Sequence, residues 1–319
     1  MKIVGSWMAL GFKMQFSKAV WGNLRDVVTW TSARYIILND GVLVQIKKQI
    51  VDEVAEQLKQ FMAGNTVGTK ELEQFLGRAN CIAGLMHVWR PFLGMMWAAL
   101  YSDPANRPAP HSVWTRQLAV ALRWIQRFLH DEPHAMRRFF SVQAYKGKHA
   151  RVMIVVDASP WAIGAFLVIG GIIREYFHQL VTPEDAKILK CELGSHTAQQ
   201  SLESFGVLVA MRVWTSAWFN KRVLLTVRSD SVSALTTLFK LRSRGEGSLI
   251  TARELAADLS KANYLPTFIE HLPGHANTIA DVLSRIDAED KKLPEALHGV
   301  TLRVLPPRGR DWWKTLEPP

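Results

Sequence analysis

The stretch from Arg151 to His178 constrains this chain more than any other. It reads R-V-M-I-V-V-D-A-S-P-W-A-I-G-A-F-L-V-I-G-G-I-I-R-E-Y-F-H. A β-branched and apolar run, Val152 to Val156, ends at a single carboxylate, Asp157. A second apolar run, Ala162 to Ile169, is followed by Gly170-Gly171 and a third run from Ile172 to Phe177. Adjacent glycines between apolar runs suit a tight hairpin, whose central positions need positive φ. The uncharged segment from Pro160 to Ile173 is too short for a membrane helix and carries hairpin punctuation. Three sequential antiparallel strands are predicted, with Asp157 at or near the end of the first. A carboxylate on a buried central strand is costly unless something cationic holds it. The competing reading makes Asp157 the first residue of a turn at Ala158-Ser159-Pro160, and this stretch alone leaves both open.

Charge points to the partner. The 319 residues carry a net charge of +11, which favours nucleic acid over an anionic membrane surface. The hydrophobic fraction of 48% is that of a globular protein, so disorder is not the expectation. Cys81 and Cys191 stand far apart with no CxxC pair, which argues against a disulfide framework and a zinc site. An intracellular setting, cytoplasm or nucleus, is expected rather than secretion, because the N-terminal apolar run meets Lys13 without a small-residue cleavage site.

The rest divides by composition and periodicity. Residues 1–38 read as β-hairpins too few to close a core, with Trp7, Met8 and Phe12 as exposed apolar surface. Residues 39–101 read as helical, with Ile46, Ile50, Val54, Leu58 and Phe61 on one stripe. Gly64-Asn65 should stop that helix, Thr69 should cap the next, and Arg90-Pro91 should break or kink it. Residues 102–149 comprise a Pro-rich linker, an amphipathic helix carrying Arg116, Arg123 and Arg127 beside Trp114 and Trp124, and a basic connector. Residues 150–290 follow the order βββαβααβα, which predicts an α/β fold with a mixed five-stranded sheet flanked by helices. Residues 291–319 form a basic, Pro-rich tail with a Trp312-Trp313 pair.

Four carboxylates stand at structural punctuation within 150–290: Asp157 on the first strand, Glu203 on a helix, Asp230 closing the fourth strand, Asp281 opening the last helix. Singly, each has an ordinary explanation; Asp230 makes a good helix N-cap, and a helical Glu is usually solvated. Together they offer hard oxygen ligands from several elements, as one or two Mg²⁺ ions need to hold a phosphodiester.

The segments V-V-D-A-S-P-W-A-I-G-A, S-L-E-S-F-G-V-L-V-A-M-R-V-W, V-R-S-D-S-V-S-A-L and H-L-P-G-H-A-N-T-I-A-D-V-L-S-R resemble the type 1 ribonuclease H domain of retrotransposon reverse transcriptases. Upstream, E-L-E-Q-F-L-G-R-A-N-C-I-A-G-L and R-P-F-L-G-M-M-W-A-A-L are similar to the thumb and connection of such polyproteins, of the tyrosine-recombinase (DIRS-like) or gypsy-like sort. V-T-W-T-S is similar to the end of the polymerase palm. The resemblance implies an RNase H-like fold and cleavage of the RNA strand of RNA–DNA hybrids. It implies two metal ions, Mg²⁺ or Mn²⁺, held by Asp157, Glu203, Asp230 and Asp281. His275 matches a loop histidine that assists proton transfer or product release, although the loop to Asp281 is shorter than in cellular enzymes. Asn277 of that motif joins Lys240, Arg242 and Arg244 of a basic loop as expected contacts to nucleic acid. The chain has no Asp-Asp pair, so polymerase activity is not expected of it; a separate polymerase subunit or the rest of a polyprotein is an expected partner. Two rivals stand beside the nuclease: a catalytically idle nucleic-acid-binding remnant, and an integrase or resolvase sharing the core.

Overall fold

Gly170 and Gly171 turn the chain with φ of 61° and 86°, in the left-handed region that glycine enters without strain. The computed structural model describes residues 23–30, 32–130, 133–262, 267–288 and 290–317. The hairpins expected over residues 1–22, with Trp7, Met8 and Phe12, lie outside the described residues.

Strands β1 (Val27–Trp30), β2 (Ala33–Leu38) and β3 (Gly41–Ile46) form an antiparallel meander. The expected boundary after residue 38 therefore falls inside a hairpin. Helix α1 (Lys48–Ala63) buries Val54, Leu58 and Phe61 of the predicted stripe and ends at Gly64. Strand β4 (Thr66–Gly68) leads into α2 (Thr69–Leu85), whose cap position is Gly68 rather than Thr69. Arg90-Pro91 does not break a helix. The break falls at Met86, a 3-10 turn covers His87–Trp89, and Pro91 sits in the first turn of α3 (Arg90–Leu100), where its missing N–H leaves no bond unmade. Strand β5 (Ser112–Trp114) pairs with β4 and runs into α4 (Thr115–His130). The basic connector contains β6 (Arg137–Ser141), which pairs with β3 and closes the first sheet in the order β1-β2-β3-β6. A single turn, α5 (Val142–Tyr145), follows.

Strands β7 (Ala150–Ala158), β8 (Ala162–Ile169) and β9 (Ile172–Leu180) are the predicted antiparallel meander. Helices α6 (Pro183–Leu189), α7 (Gln199–Val213) and α8 (Thr215–Trp218) precede β10 (Val223–Ser229). Then come α9 (Val232–Lys240), α10 (Glu246–Leu259), β11 (Thr267–His271) and α11 (Thr278–Leu283). The sheet runs β11-β10-β7-β8-β9 and ends at a short strand over Thr301–Leu302, with β10 parallel to both β7 and β11. This is the expected RNase H-like α/β class with one strand more, since β12 (Thr301–Leu302) adds parallel to β9.

Alternation along β7 decides what faces what. Val152, Ile154, Val156 and Ala158 join the large core under α7, while Val155 faces the other way, into a cluster with Ala280 and Leu283 of α11. Period two then puts Asp157 on the α11 side. The large core runs without a break from Ile46 to Trp313, so the helical region and the mixed sheet share one interior.

The segment beyond Lys292 packs back on the sheet. Arg308 is buried and forks onto the buried Asp185 at 2.6–3.1 Å, while Trp313 stacks on Phe205 with centroids 5.4 Å apart. Glu254, fully buried, accepts bonds from Arg212, Lys314 N and Thr315. Among the described residues no helix is long and apolar enough to cross a membrane.

Candidate active site

The carboxyl ends of β7 and β10 lie side by side. Parallel register pairs Arg228 with Val155, and continuing it two residues brings Asp230 opposite Asp157. Asp157 is not a turn residue: it pairs with Gly164 inside the sheet, and Ser159 makes the turn by accepting from Trp161 N and Ala162 N. Nor does Asp230 cap a helix. Ser231 caps α9 by accepting from Ala234 N at 3.2 Å, which leaves the Asp230 carboxylate for other work.

Asp157 is 7% exposed. Burial pushes its pKa up to about 7, and the nearby Asp230 and Asp281 carboxylates push the same way. Ser284 opposes this by donating to Oδ2 at 2.7 Å, as does Arg285 through its charge. Glu203, on α7, is also raised, first by burial and then by Asp230; bonds from Ser231 and Gln199 pull it down. Gln199 ties this residue to the strand end, giving one amide to Glu203 Oε1 at 3.1 Å and to Ala158 O. Asp281 lies in the first turn of α11 and pairs with Arg285 at 2.9 Å.

The four expected carboxylates thus sense one another in a chain: Glu203 with Asp230, Asp230 with Asp157, Asp157 with Asp281. Among the described residues, no three Asp, Glu, His or Cys side chains already stand as a set around one ion. Three of them are turned instead onto local partners: Asp157 onto Ser284, Glu203 onto Gln199, and Asp281 onto Arg285. Two observations fit a hard divalent cation nonetheless. The donors are all carboxylates, the ligands such ions prefer. Asp230 Oδ1 is buried with no hydrogen-bond partner among the described residues.

The loop after β11 leans on this site. His271 ends β11 and its ring contacts Asp230 O at 3.1 Å, while a Cβ built on Gly274 would lie 3.5 Å from Asp230 Oδ2. His275 is exposed on the 3-10 turn Gly274–Ala276. Asn277 departs from expectation. It is 2% exposed and donates to Val156 O at 3.4 Å, so it positions α11 against β7 instead of offering a surface contact. The close seating of α11 needs Gly164, because a Cβ there would overlap Leu283 Cβ and Ser284 N.

Lys240, Arg242 and Arg244 are exposed, at a distance from the carboxylates set by α9. That helix of nine residues spans about 14 Å. Their loop docks on the helical region, where Arg90 donates to Lys240 O at 3.1 Å. Arg90, Arg138 and Arg242 gather round His87, whose pKa falls to about 4, through burial first and these three charges after it. Burial and the charges of Arg242 and Arg138 also lower Arg90, to about 10. Ser284 and Arg285 were legible as part of A-D-V-L-S-R, Ser231 lay in V-R-S-D-S-V-S-A-L, Arg90 in R-P-F-L-G-M-M-W-A-A-L and Arg138 in the basic connector; Gln199 carried no local signal.

No family model matches the chain, and no curated protein matches it. Among solved structures, it is similar to ribonuclease H1 from the halophilic archaeon Halobacterium salinarum NRC-1 at 18% identity, over 44% of this chain and 98% of that one, with TM-score 0.32. It is similar to the foamy viral protease-reverse transcriptase in complex with RNA/DNA hybrid at 14% identity, over 88% of this chain and 32% of that one, with TM-score 0.24. The dRH form of that viral protein with double-stranded DNA aligns at 14% identity over 77% and 38%, with TM-score 0.27. The chain thus spans about a third of the viral proteins. Likenesses this weak carry no weight of their own, and the fold stands on strand order and register.

Proposed function

We propose that the chain is a metal-dependent endonuclease that cleaves the RNA strand of RNA–DNA hybrids and derives from a retroelement reverse transcriptase. The observation that supports it best is the buried Asp157, raised to about 7 by burial and by Asp230 and Asp281 at the end of the central strand. Burying like charges together is costly, and a cation between them would remove that cost.

Asp157, Glu203, Asp230 and Asp281 would hold the ions, which would polarise the scissile phosphate and lower the pKa of an attacking water. The chain's own residues prepare the site. Ser284 fixes an oxygen of Asp157, and Gln199 and Ser231 hold Glu203. Arg285 holds Asp281 until a stronger cation competes for it. His275, exposed on the loop against Asp230, is suited to give a proton to the departing 3′-oxygen. Lys240, Arg242 and Arg244 would contact phosphates and set the register of the duplex without reading sequence. Discrimination for RNA requires contact to 2′-hydroxyls, which only the cut strand offers.

A second reading, a nucleic-acid binder that does not cut, draws on the Asp281–Arg285 pair and on the lack of a ready ligand set among the described residues. One assay separates the two. The RNA strand of a labelled hybrid is followed with Mg²⁺, with Mn²⁺ and with chelator, beside duplex DNA. Metal-dependent cleavage of the hybrid alone, lost in Asp157→Asn, supports the nuclease. Binding without cleavage in either metal overturns it.

A further inference from the structure

A second cluster of cations lies away from the carboxylates, in a cavity of about 320 Å³ between the end of α1, β5 and α4. Arg116 and Arg123 line it, with Trp114, Thr115 and Asn65. The two arginines stand seven positions apart on α4, so they share a face, opposite the buried stripe of Leu118, Ala121, Ile125 and Phe128. Both are exposed, and neither has an ion-pair partner among the described residues. Arg116 stacks instead over the Trp114 ring, 5.0 Å from its centroid. The Thr115 hydroxyl oxygen is buried and bonds to nothing among the described residues. Helix α4 carries no carboxylate at all.

Guanidinium groups with no carboxylate partner and an unused hydroxyl are two things that folding alone does not explain, and the Arg116–Trp114 stack sets an indole beside them. A guanidinium has a planar fork for a phosphate, a hydroxyl can donate to one of its oxygens, and an indole stacks on a base. We infer that this cavity is a second nucleic-acid site, which grips a backbone phosphodiester between Arg116, Arg123 and Thr115 with a base or sugar against Trp114. This rests on the nucleic-acid-processing reading above and adds a contact in the helical region, outside the mixed sheet.

The test is affinity, measured with the full chain in chelator so that no strand is cut. Fluorescence anisotropy of a labelled RNA–DNA hybrid is followed across a salt series for the wild type, Arg116→Gln/Arg123→Gln, Thr115→Val, and a control, Lys70→Gln/Arg78→Gln, that removes equal charge from α2. The arginine pair is expected to weaken binding about tenfold and to lower the slope of log affinity against log salt by about one, for the single phosphate it grips. Thr115→Val is expected to weaken binding about fivefold with the slope unchanged, and to leave the fold as stable as before because the lost hydroxyl had no partner. The control should change neither quantity. An arginine pair that behaves like the control overturns this site while leaving the nuclease reading intact. Failure of the wild type to bind any hybrid overturns both. Displacement by poly-glutamate as readily as by unlabelled hybrid would show attraction by charge alone. Displacement by a 5′-mononucleotide at far lower concentration than by oligonucleotide would make this a nucleotide pocket, and either result rejects the proposal.

Discussion

Ser284 donates its hydroxyl hydrogen to Asp157 Oδ2 at 2.7 Å, joining residues 127 positions apart at the end of the central strand. The same hydroxyl lies 2.9 Å from Asp281 O, and its backbone carbonyl accepts from Ser159 at 2.7 Å. One serine therefore ties α11, the β7–β8 turn and the buried carboxylate together.

Ser284→Ala should raise the pKa of Asp157 further, since that bond is the main influence pulling it down. Loss of a bond to a charged, buried acceptor should cost about 1.5–3 kcal/mol in urea unfolding at neutral pH. The acid limb of the cleavage pH profile should move to higher pH. An unchanged profile would disconnect Ser284 from the chemistry.

Stability without metal should depend on pH through Asp157. Its pKa is about 7 in the folded chain against an ordinary 3.8. Between those values the folded chain keeps a proton that the unfolded chain has released, so the contribution of Asp157 is full below about pH 4 and is lost as pH rises to about 7. The size is on the order of 4 kcal/mol. Asp157→Asn removes the titration, so its melting temperature should gain on the wild type steadily from pH 4 to 7. Parallel curves for the two proteins would show that Asp157 is not held this way.

Magnesium should stabilise the wild type by mass action, because only the folded chain brings the carboxylates together. The melting temperature should rise with Mg²⁺ concentration and should not in Asp230→Asn. Proton release on titration near pH 6.5, read by calorimetry in two buffers of different ionisation enthalpy, should accompany binding, since Asp157 must ionise to become a ligand.

Gly164→Ala places a methyl group against Leu283 and the backbone of Ser284. Helix α11 must shift, at a cost of roughly 1–3 kcal/mol, and it carries Asp281 with it. Cleavage should fall more than stability does. Equal activity at lower stability would mean that α11 can move without harm to the site.

Arg308→Ala should be the most damaging single change far from the site. It strips the buried Asp185 of its cation, and breaking one side of a buried pair costs about 3–5 kcal/mol. A urea midpoint close to that of the wild type would show that Thr182 and water suffice for Asp185.

Local pattern made the meander legible, because a Gly-Gly turn and period-two runs are properties of adjacent residues. It also put Asp157 on the first strand and Asp230 at the end of the fourth. The caps were less legible: Ser231 caps α9 and Ser159 makes the β7–β8 turn, where Asp230 and Asp157 were equally good choices by residue type. Pro91 fits either the end of one helix or the start of another, and tertiary packing of Trp89 and Phe92 decided for the start. Asn277 was expected as a nucleic-acid contact from the motif it belongs to, yet its amide reaches Val156 O. The Arg308–Asp185 and Arg212–Glu254 pairs were invisible, since partners 123 and 42 residues apart leave no periodic trace.

The two residues of β12 have an effect out of proportion to their length. They occupy the outer side of β9, whose own N–H and C=O groups would otherwise point into water as an open template for another strand. Tyr176 O is taken by Arg303 N immediately beyond them. A chain shortened to residue 299 would keep the central strands and lose this guard, along with the anchors at Arg308 and Trp313 that hold it down. Its characteristic failure should then be self-association through β9, worsening with protein concentration, before any loss of the sheet itself.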